Sequence, residues 1–499
     1  MKAHHQAVKE NEKGQHRTIV IIGVIILVLQ LTFHLTVDAK SISSTQSRID
    51  DSIQVEINNQ LNNPELIGRL NFPNTVKRFY GIVDSKASWL LPETNIGPTA
   101  SAMLLLDCVR QYGLQHDNYH PEILTYTLMH EVLDSTALKS AAQKVEFEIM
   151  LTDAMISMIN HLHFGAYNPS LNQRALDEGL PKRLNTATFL QEALKSKDLM
   201  AKILTVQPKI DQYKQLQQYM KLIAGQYICD SYETPESEIR KIVMNMERLR
   251  WNELTSDSYV QVNIPSFQLT YLTPDSTYLF KTVIGKPSTP TPTLISQIAY
   301  LETAPDWIVP NKIFINELLP KAIKDNAYFD NNHMAVYDAK ESFVPITAAS
   351  LAEIKKHPKL YHAKQTAGCD NALGKVVFRF NNAQDIYLHD TPEQQYFARK
   401  KRAISHGCIR VEHAEYLANL LLKNDNQANQ VPLVEKAMSA YRKQKFALNQ
   451  PVTILITYLT ITVEDKLLVH HEDLYKLDKS LEAQMFEKPE QLTNISIKK

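Results

Sequence analysis

Apolar residues recur along this chain at two different periods, and the change falls near residue 257. Through residues 74–222 the spacing is mostly helical. It is clearest in residues 146–163, where Phe147, Leu151, Ala154, Met158 and Leu162 form one apolar stripe. Gly165 follows as a stop. Another helix opens at Thr234-Pro235-Glu236, with an N-cap, a first-turn proline and an acid at the positive end. Its buried stripe is Ile239, Ile242, Val243, Met246 and Leu249. From Tyr259 the period becomes two. Val260, Val262 and Ile264 alternate with polar neighbours, and residues 267–271 and 277–284 flank a turn at Thr273-Pro274-Asp275-Ser276. Helical pieces interrupt the β pattern between Trp307 and His362, one of them running from Pro310 through Phe314, Leu318 and Leu319. Residues 412–423 read as a helix, residues 452–463 as a strand turned back at Glu464-Asp465-Lys466. Helices first and strands afterwards predict an α+β chain.

Ahead of this body, residues 18–37 contain no Asp, Glu, Lys or Arg, and residues 19–29 are wholly apolar. Twenty helical residues cross a bilayer core of about 30 Å. The flanking Lys2, Lys9, Lys13 and Arg17 keep the N-terminus inside. We read an anchor in the cytoplasmic membrane, with a cleaved signal peptide as the rival because Val37-Asp38-Ala39 resembles a cleavage site. Either way the body is expected to be periplasmic or otherwise extracytoplasmic. Residues 40–63 read as a linker, 64–256 as a helical scaffold, 257–430 as a β-rich domain and 431–499 as a C-terminal extension carrying a β-hairpin.

Composition narrows the chemistry. A net charge of zero argues against a nucleic-acid partner. The four cysteines, Cys108, Cys229, Cys369 and Cys408, have neither metal spacing nor a disulfide framework. Cys108 and Cys229 read as two buried thiols in preference to a pair, and Cys369 as a bystander.

The candidate chemistry lies in residues 386–411, IYLHDTPEQQYFARKKRAISHGCIRV. An apolar run delivers His389 to a sheet edge, and fifteen residues separate it from Ser405, enough for a loop that returns beside the same strand. Gly407 lets backbone approach a substrate closely at Cys408. A thiolate nucleophile with an imidazole base is the chemistry suggested. Arg399, Lys400, Lys401, Arg402 and Arg410 surround the thiol in sequence; close in space, they would favour the thiolate and attract a carboxylate. A zinc site from His389, His406 and Cys408 lacks the paired ligand spacing.

The histidine, this spacer, then Ser405-His406-Gly407-Cys408, an apolar residue and Arg410 resemble the L,D-transpeptidases of bacterial cell walls. Val76-Lys77-Arg78-Phe79-Tyr80, Trp89, Gly113-Leu114, Tyr119-His120, Leu151-Thr152-Asp153-Ala154 and Pro208 with Tyr213 look like the helical scaffold of the larger members. Val262-Asn263-Ile264-Pro265, Val283-Ile284-Gly285-Lys286, Thr291-Pro292 and Asn371-Ala372-Leu373-Gly374 resemble the catalytic domain, although Ala367 stands where the family commonly has proline.

The resemblance implies roles. Cys408 is the nucleophile, and His389 the general base, then acid. Gly407 and Cys408 offer oxyanion donors, with Tyr387 adding a bond or orienting substrate. Ser405 and His406 hold the loop and the imidazole. Arg410 is a candidate for a substrate carboxylate, with a structural ion pair as the rival, and Asn371 for substrate backbone. The N-terminus of helix 412–423 would lend the thiolate a small further support. No metal or cofactor is implied. The expected substrates are a peptidoglycan tetrapeptide stem as donor, which loses its terminal D-alanine, and a side-chain amine as acceptor, giving a 3→3 cross-link. Trimming by water, release of wall-linked proteins, and an inactive wall-binding scaffold are the alternatives. Carbapenem-type β-lactams are the expected inhibitors. An insertion at about residues 300–362 is expected to cap the site as a mobile lid.

Overall fold

The computed structural model describes residues 51–90, 97–134, 139–226, 236–254 and 256–487. The expected membrane segment 18–37, the first part of the linker, Cys229 and the Thr234-Pro235 helix start lie outside the described residues. Among the described residues no helix is long and apolar enough to cross a membrane. The chain divides into two compact units. One is built from residues up to 109, with 115–161 and 171–206; the other comprises 110–114, 162–170 and everything from 207 onward.

The first unit is helical. Its longest element, Ala141–Phe164, is buried on every side between residues 149 and 159, so the single stripe read from sequence understates it. A helix enclosed in this way must find partners for its polar members. Asp153 accepts the backbone N–H groups of Asn71 and Phe72 at 2.9 and 2.8 Å, and Glu148 accepts those of Ser88, Trp89 and Leu90 at 2.7, 2.9 and 3.1 Å. The buried carboxylates thus tie irregular chain to the central helix.

The second unit is organised on a β-ring. Its strands begin with β1 (Tyr259–Asn263), β2 (Gln268–Leu272), β3 (Thr277–Gly285) and β4 (Leu294–Thr303). An insertion carries β5 (Trp307–Ile308), β6 (Met334–Asp338) and β7 (Tyr361–Gln365). Then come β8 (Val376–Phe380), β9 (Leu388–His389), β10 (Ala403–Ser405), β11 (Ile409–Val411) and β12 (Gln444–Thr457), and last the hairpin β13 (Ile461–Glu464) and β14 (Leu467–His470). The pairing order β3-β11-β9-β8-β4-β12-β1-β2 returns to β3, because β2 pairs with β3 as well as β1, and β10 adds to β3. Closure removes free edges along the ring.

Two sequence expectations change here. β1 alternates in sequence yet is buried at all five positions. Val260 and Val262 face the ring core, while Tyr259 joins a cluster with Leu249, Tyr213 and Leu455. That cluster explains why the expected boundary at 256 and 257 falls inside the second unit: helix Glu236–Arg250 packs there with the sheet's outer face. The expected C-terminal extension is also more than an extension. β12 pairs parallel with β1 and antiparallel with β4, so residues after 431 complete the ring.

The insertion has its own three-stranded sheet, order β5-β7-β6, and its own core. Phe314, Leu319, Phe329, Val336, Leu351 and Ile354 form that core.

Candidate active site

β9 and β11 run parallel, with Leu388 opposite Ile409 and His389 opposite Arg410. Side chains two apart on a strand share a face. His389 and Arg410 therefore share a face, and Tyr387 and Cys408, which stand just before the two strands, open on the same groove. Strands about 4.8 Å apart and a rise of about 3.3 Å per residue leave Cys408 diagonal to His389 across the pair, within side-chain reach. All four residues line one groove of about 1490 Å³, which Trp307, Ile308 and Glu317 of the insertion also line.

The turn that carries the cysteine is locked from within. Gly407 has φ of 121°, a value that favours glycine, and a Cβ there would lie 3.2 Å from Ile386 Cδ1. Ser405 Oγ donates to the Cys408 carbonyl at 2.6 Å and accepts from the Gly407 N–H at 3.1 Å. The neighbouring segment buttresses it: Thr291 Oγ1 donates to the Gly407 carbonyl at 2.7 Å, and Thr289 Oγ1 to the Ser405 carbonyl at 3.2 Å. Ser405 thus holds the loop. The Gly407 N–H, expected as an oxyanion donor, is spent on Ser405. The Tyr387 hydroxyl is the donor that lies against the sulfur.

The thiol itself is half-buried and free. Burial pushes its pKa up; hydrogen bonds from the Tyr387 N–H and hydroxyl and the charge of Arg379 oppose this, while Asp385 reinforces it. Burial thus works against the thiolate that the run of basic residues suggested in sequence. Helix Ala414–Asn424 does not alter that, because its first turn opens on a second cavity with Cys369, Gly374 and Asp390. Cys369 is an exposed free thiol in that separate cavity.

His389 is buried. Burial first, then the charges of Arg410 and Arg379, push its pKa down to about 3 despite a bond to the Asp390 carbonyl. That bond, Nδ1 to oxygen at 2.5 Å, fixes the tautomer: a carbonyl only accepts, so Nδ1 carries the proton and Nε2 keeps its lone pair. Asp390 is held in turn. Its Oδ2 accepts the Lys375 N–H at 2.9 Å, and Gly374, at φ of 63°, leaves the space a Cβ would fill 2.4 Å from that oxygen. A neutral thiol beside a neutral imidazole can act as nucleophile and general base, with the proton moving as the sulfur attacks.

The charges arrange themselves differently from their order in sequence. Arg402 donates to the carbonyls of Thr282, Phe267 and Arg399, and Lys401 pairs with Glu472 at 2.7 Å. Arg399 lies over the Tyr396 ring at 4.7 Å. Arg410 pairs with Glu393 at 2.7 Å, which is the structural alternative to a substrate carboxylate. Asn371 is fully buried; its Nδ2 donates to the carbonyls of Pro305, Gln365 and Thr366, and its Oδ1 accepts from Leu373. Its backbone partners are the protein's own, so a substrate contact is replaced by a loop clamp. His406 leaves the imidazole and reaches the insertion instead, where Nε2 meets Glu317 Oε1 at 2.6 Å. Glu317 sits in a π-turn, Phe314–Leu318, and bridges onward to Lys286 at 3.8 Å.

Three groups escaped the sequence reading. Asp390 acts through a carbonyl, which every residue has. Glu317 lies 89 positions from His406. Arg379 left a signal: it is the one charged residue in the apolar strand β8, VVFRF.

Residues 257–435 match the family model described as the L,D-transpeptidase catalytic domain, of the YkuD type, and residues 74–220 match one described as a scaffold domain. A curated protein of Haemophilus influenzae (strain ATCC 51907 / DSM 11121 / KW20 / Rd), named "Putative L,D-transpeptidase", is 32% identical over 255 residues. The match takes in 49% of this chain and 50% of that relative, so the chain spans about half the length of the relative it matches.

Proposed function

We propose that this chain, whose residues 257–435 belong to the L,D-transpeptidase catalytic-domain family, joins peptidoglycan stem peptides through a cysteine acyl-enzyme. Cys408 attacks the carbonyl of the third residue of a tetrapeptide stem, and the thiol proton passes to His389 Nε2. The imidazolium returns that proton to the departing nitrogen, D-alanine leaves, and a thioester remains. A side-chain amine of a second stem then attacks the thioester. His389 takes a proton from that amine and gives it back to the sulfur, and a 3→3 cross-link results. The Tyr387 hydroxyl, bonded to the sulfur, and the Cys408 N–H are the donors assigned in this reading to the carbonyl oxygen as it turns negative.

The observation that carries this reading is the shared groove face of Cys408 and His389, with the imidazole tautomer set by Asp390. Localisation outside the cytoplasmic membrane, anchored by residues 18–37, and acylation by carbapenem-type β-lactams belong to the same reading. The test is incubation of the full chain with disaccharide-tetrapeptide, with and without a second stem as amine donor, read by mass spectrometry. A cross-linked dimer with loss of one D-alanine per link is expected. Tripeptide as the sole product at saturating amine overturns cross-linking in favour of trimming.

A further inference from the structure

Within the groove, Arg379 differs from the other arginines near the thiol. Its guanidinium lies 4.5 Å from the Tyr387 ring centroid, and no carboxylate among the described residues pairs with it. Of the nearby acids, Asp306 and Glu302 pair with Lys443 at 2.9 and 3.9 Å and Glu393 with Arg410, while Asp385, which also lines the groove, forms no ion pair with Arg379. Half-buried cations without an anion are costly unless a ligand supplies one. Arg379 also sits on the reacting row. It faces Tyr300 across β4, and Tyr387 in turn bonds the Cys408 sulfur.

We propose that Arg379 binds the terminal carboxylate of the one residue that follows the scissile bond, and so selects donors that end there. This rests on the transpeptidase reading above. The reach fits. An attacked carbon stands about 3–3.5 Å from the nucleophile. The next residue's carboxylate lies within one residue length, about 3.5 Å, of that carbon. A charge-assisted bond adds about 2.8 Å. Together these reach about 9–10 Å from the sulfur along the groove that Arg379 also lines. A donor longer by one residue carries its carboxylate about 3.5 Å too far. Binding has a second effect. A carboxylate that neutralises Arg379 removes one of the charges that disfavour the His389 imidazolium, so a correct donor eases the proton transfer it needs.

The experiment compares two stems that differ only in ending as D-alanine free acid or D-alaninamide. The rate of Cys408 acylation is read by time-resolved intact mass for the wild type, Arg379→Gln and Arg379→Lys. The wild type should favour the acid by about 10- to 100-fold, the worth of a hydrogen bond to a charged group. Arg379→Gln should bring the acid-to-amide ratio close to one, and Arg379→Lys should recover part of it. A purely structural arginine would slow both donors alike and leave the ratio intact; that result overturns the proposal. A wild type acylated equally by both donors overturns it too, while leaving the transpeptidase reading in place. A wild type acylated by neither donor, with Cys408 still open to iodoacetamide, overturns both.

Discussion

Polar groups buried in the helical unit and polar groups facing the groove are treated in opposite ways. In the helical unit each buried carboxylate is saturated. Asp153 takes two backbone N–H groups and His120 Nε2 at 2.7 Å; Asp177 takes the N–H groups of Asn74 and Thr75 with their side chains. In the groove, capacity is left over. Cys408 has only a weak contact at 3.9 Å to the Asp385 carbonyl besides the bonds it accepts from Tyr387, His389 keeps one nitrogen lone pair, and Arg379 meets a ring face. In those carboxylates saturation serves the fold; in Cys408, His389 and Arg379 the spare capacity is open to a ligand.

Breaking the groove side should give the largest effects on chemistry. Cys408→Ala should abolish thioester formation in intact-mass spectra while the thermal unfolding midpoint stays within a degree or two. A large fall in that midpoint would place the thiol with the structural groups instead. His389→Ala should slow acylation by about 10²–10⁴-fold, the usual worth of general-base help. Next comes the saturated side. Asp153→Ala strands three donors, two of them buried, and at about 1–3 kcal/mol for each unsatisfied buried group the chain should lose about 3 kcal/mol in urea unfolding. A loss below about 1 kcal/mol would mean that water replaces the carboxylate. The smallest effect concerns acid. His389 has a folded pKa of about 3 against an ordinary 6.5, so the unfolded chain takes up a proton that the folded chain refuses. Its contribution is therefore complete above about pH 6.5 and declines as pH falls toward 3. His389→Gln should flatten the decline in melting temperature between pH 7 and pH 4; an unchanged slope would show that the imidazole is protonated in the folded state.

The sequence made the reacting pair legible because nucleophile and base are defined by side-chain type, and Cys408 and His389 sit at paired strands that open on one groove. The helical and β regions, their order and the interruption of the β pattern were legible from period alone; a capping role for that insertion was implied only by the resemblance. Partner choice was not. Arg410 and Asn371 are the right residue types for a substrate, yet Glu393 and three carbonyls reach them first. The basic run 399–402 lies next to Cys408 in sequence, but Arg402 and Lys401 are turned to other partners, while Arg379 arrives from a different strand. Proximity along the chain is a poor guide to a field that acts through space. The role of β12 was hidden for a related reason: its pairing with β1 joins residues nearly two hundred positions apart.

The insertion's private core gives it an independence that the rest of the groove lacks. Phe314, Phe329, Val336 and Leu351 form one core, so the piece that lines part of the groove can be recut or grafted without redesigning the ring. The chemistry is fixed in the ring, and the shape of whatever is admitted to it can drift separately, one loop at a time.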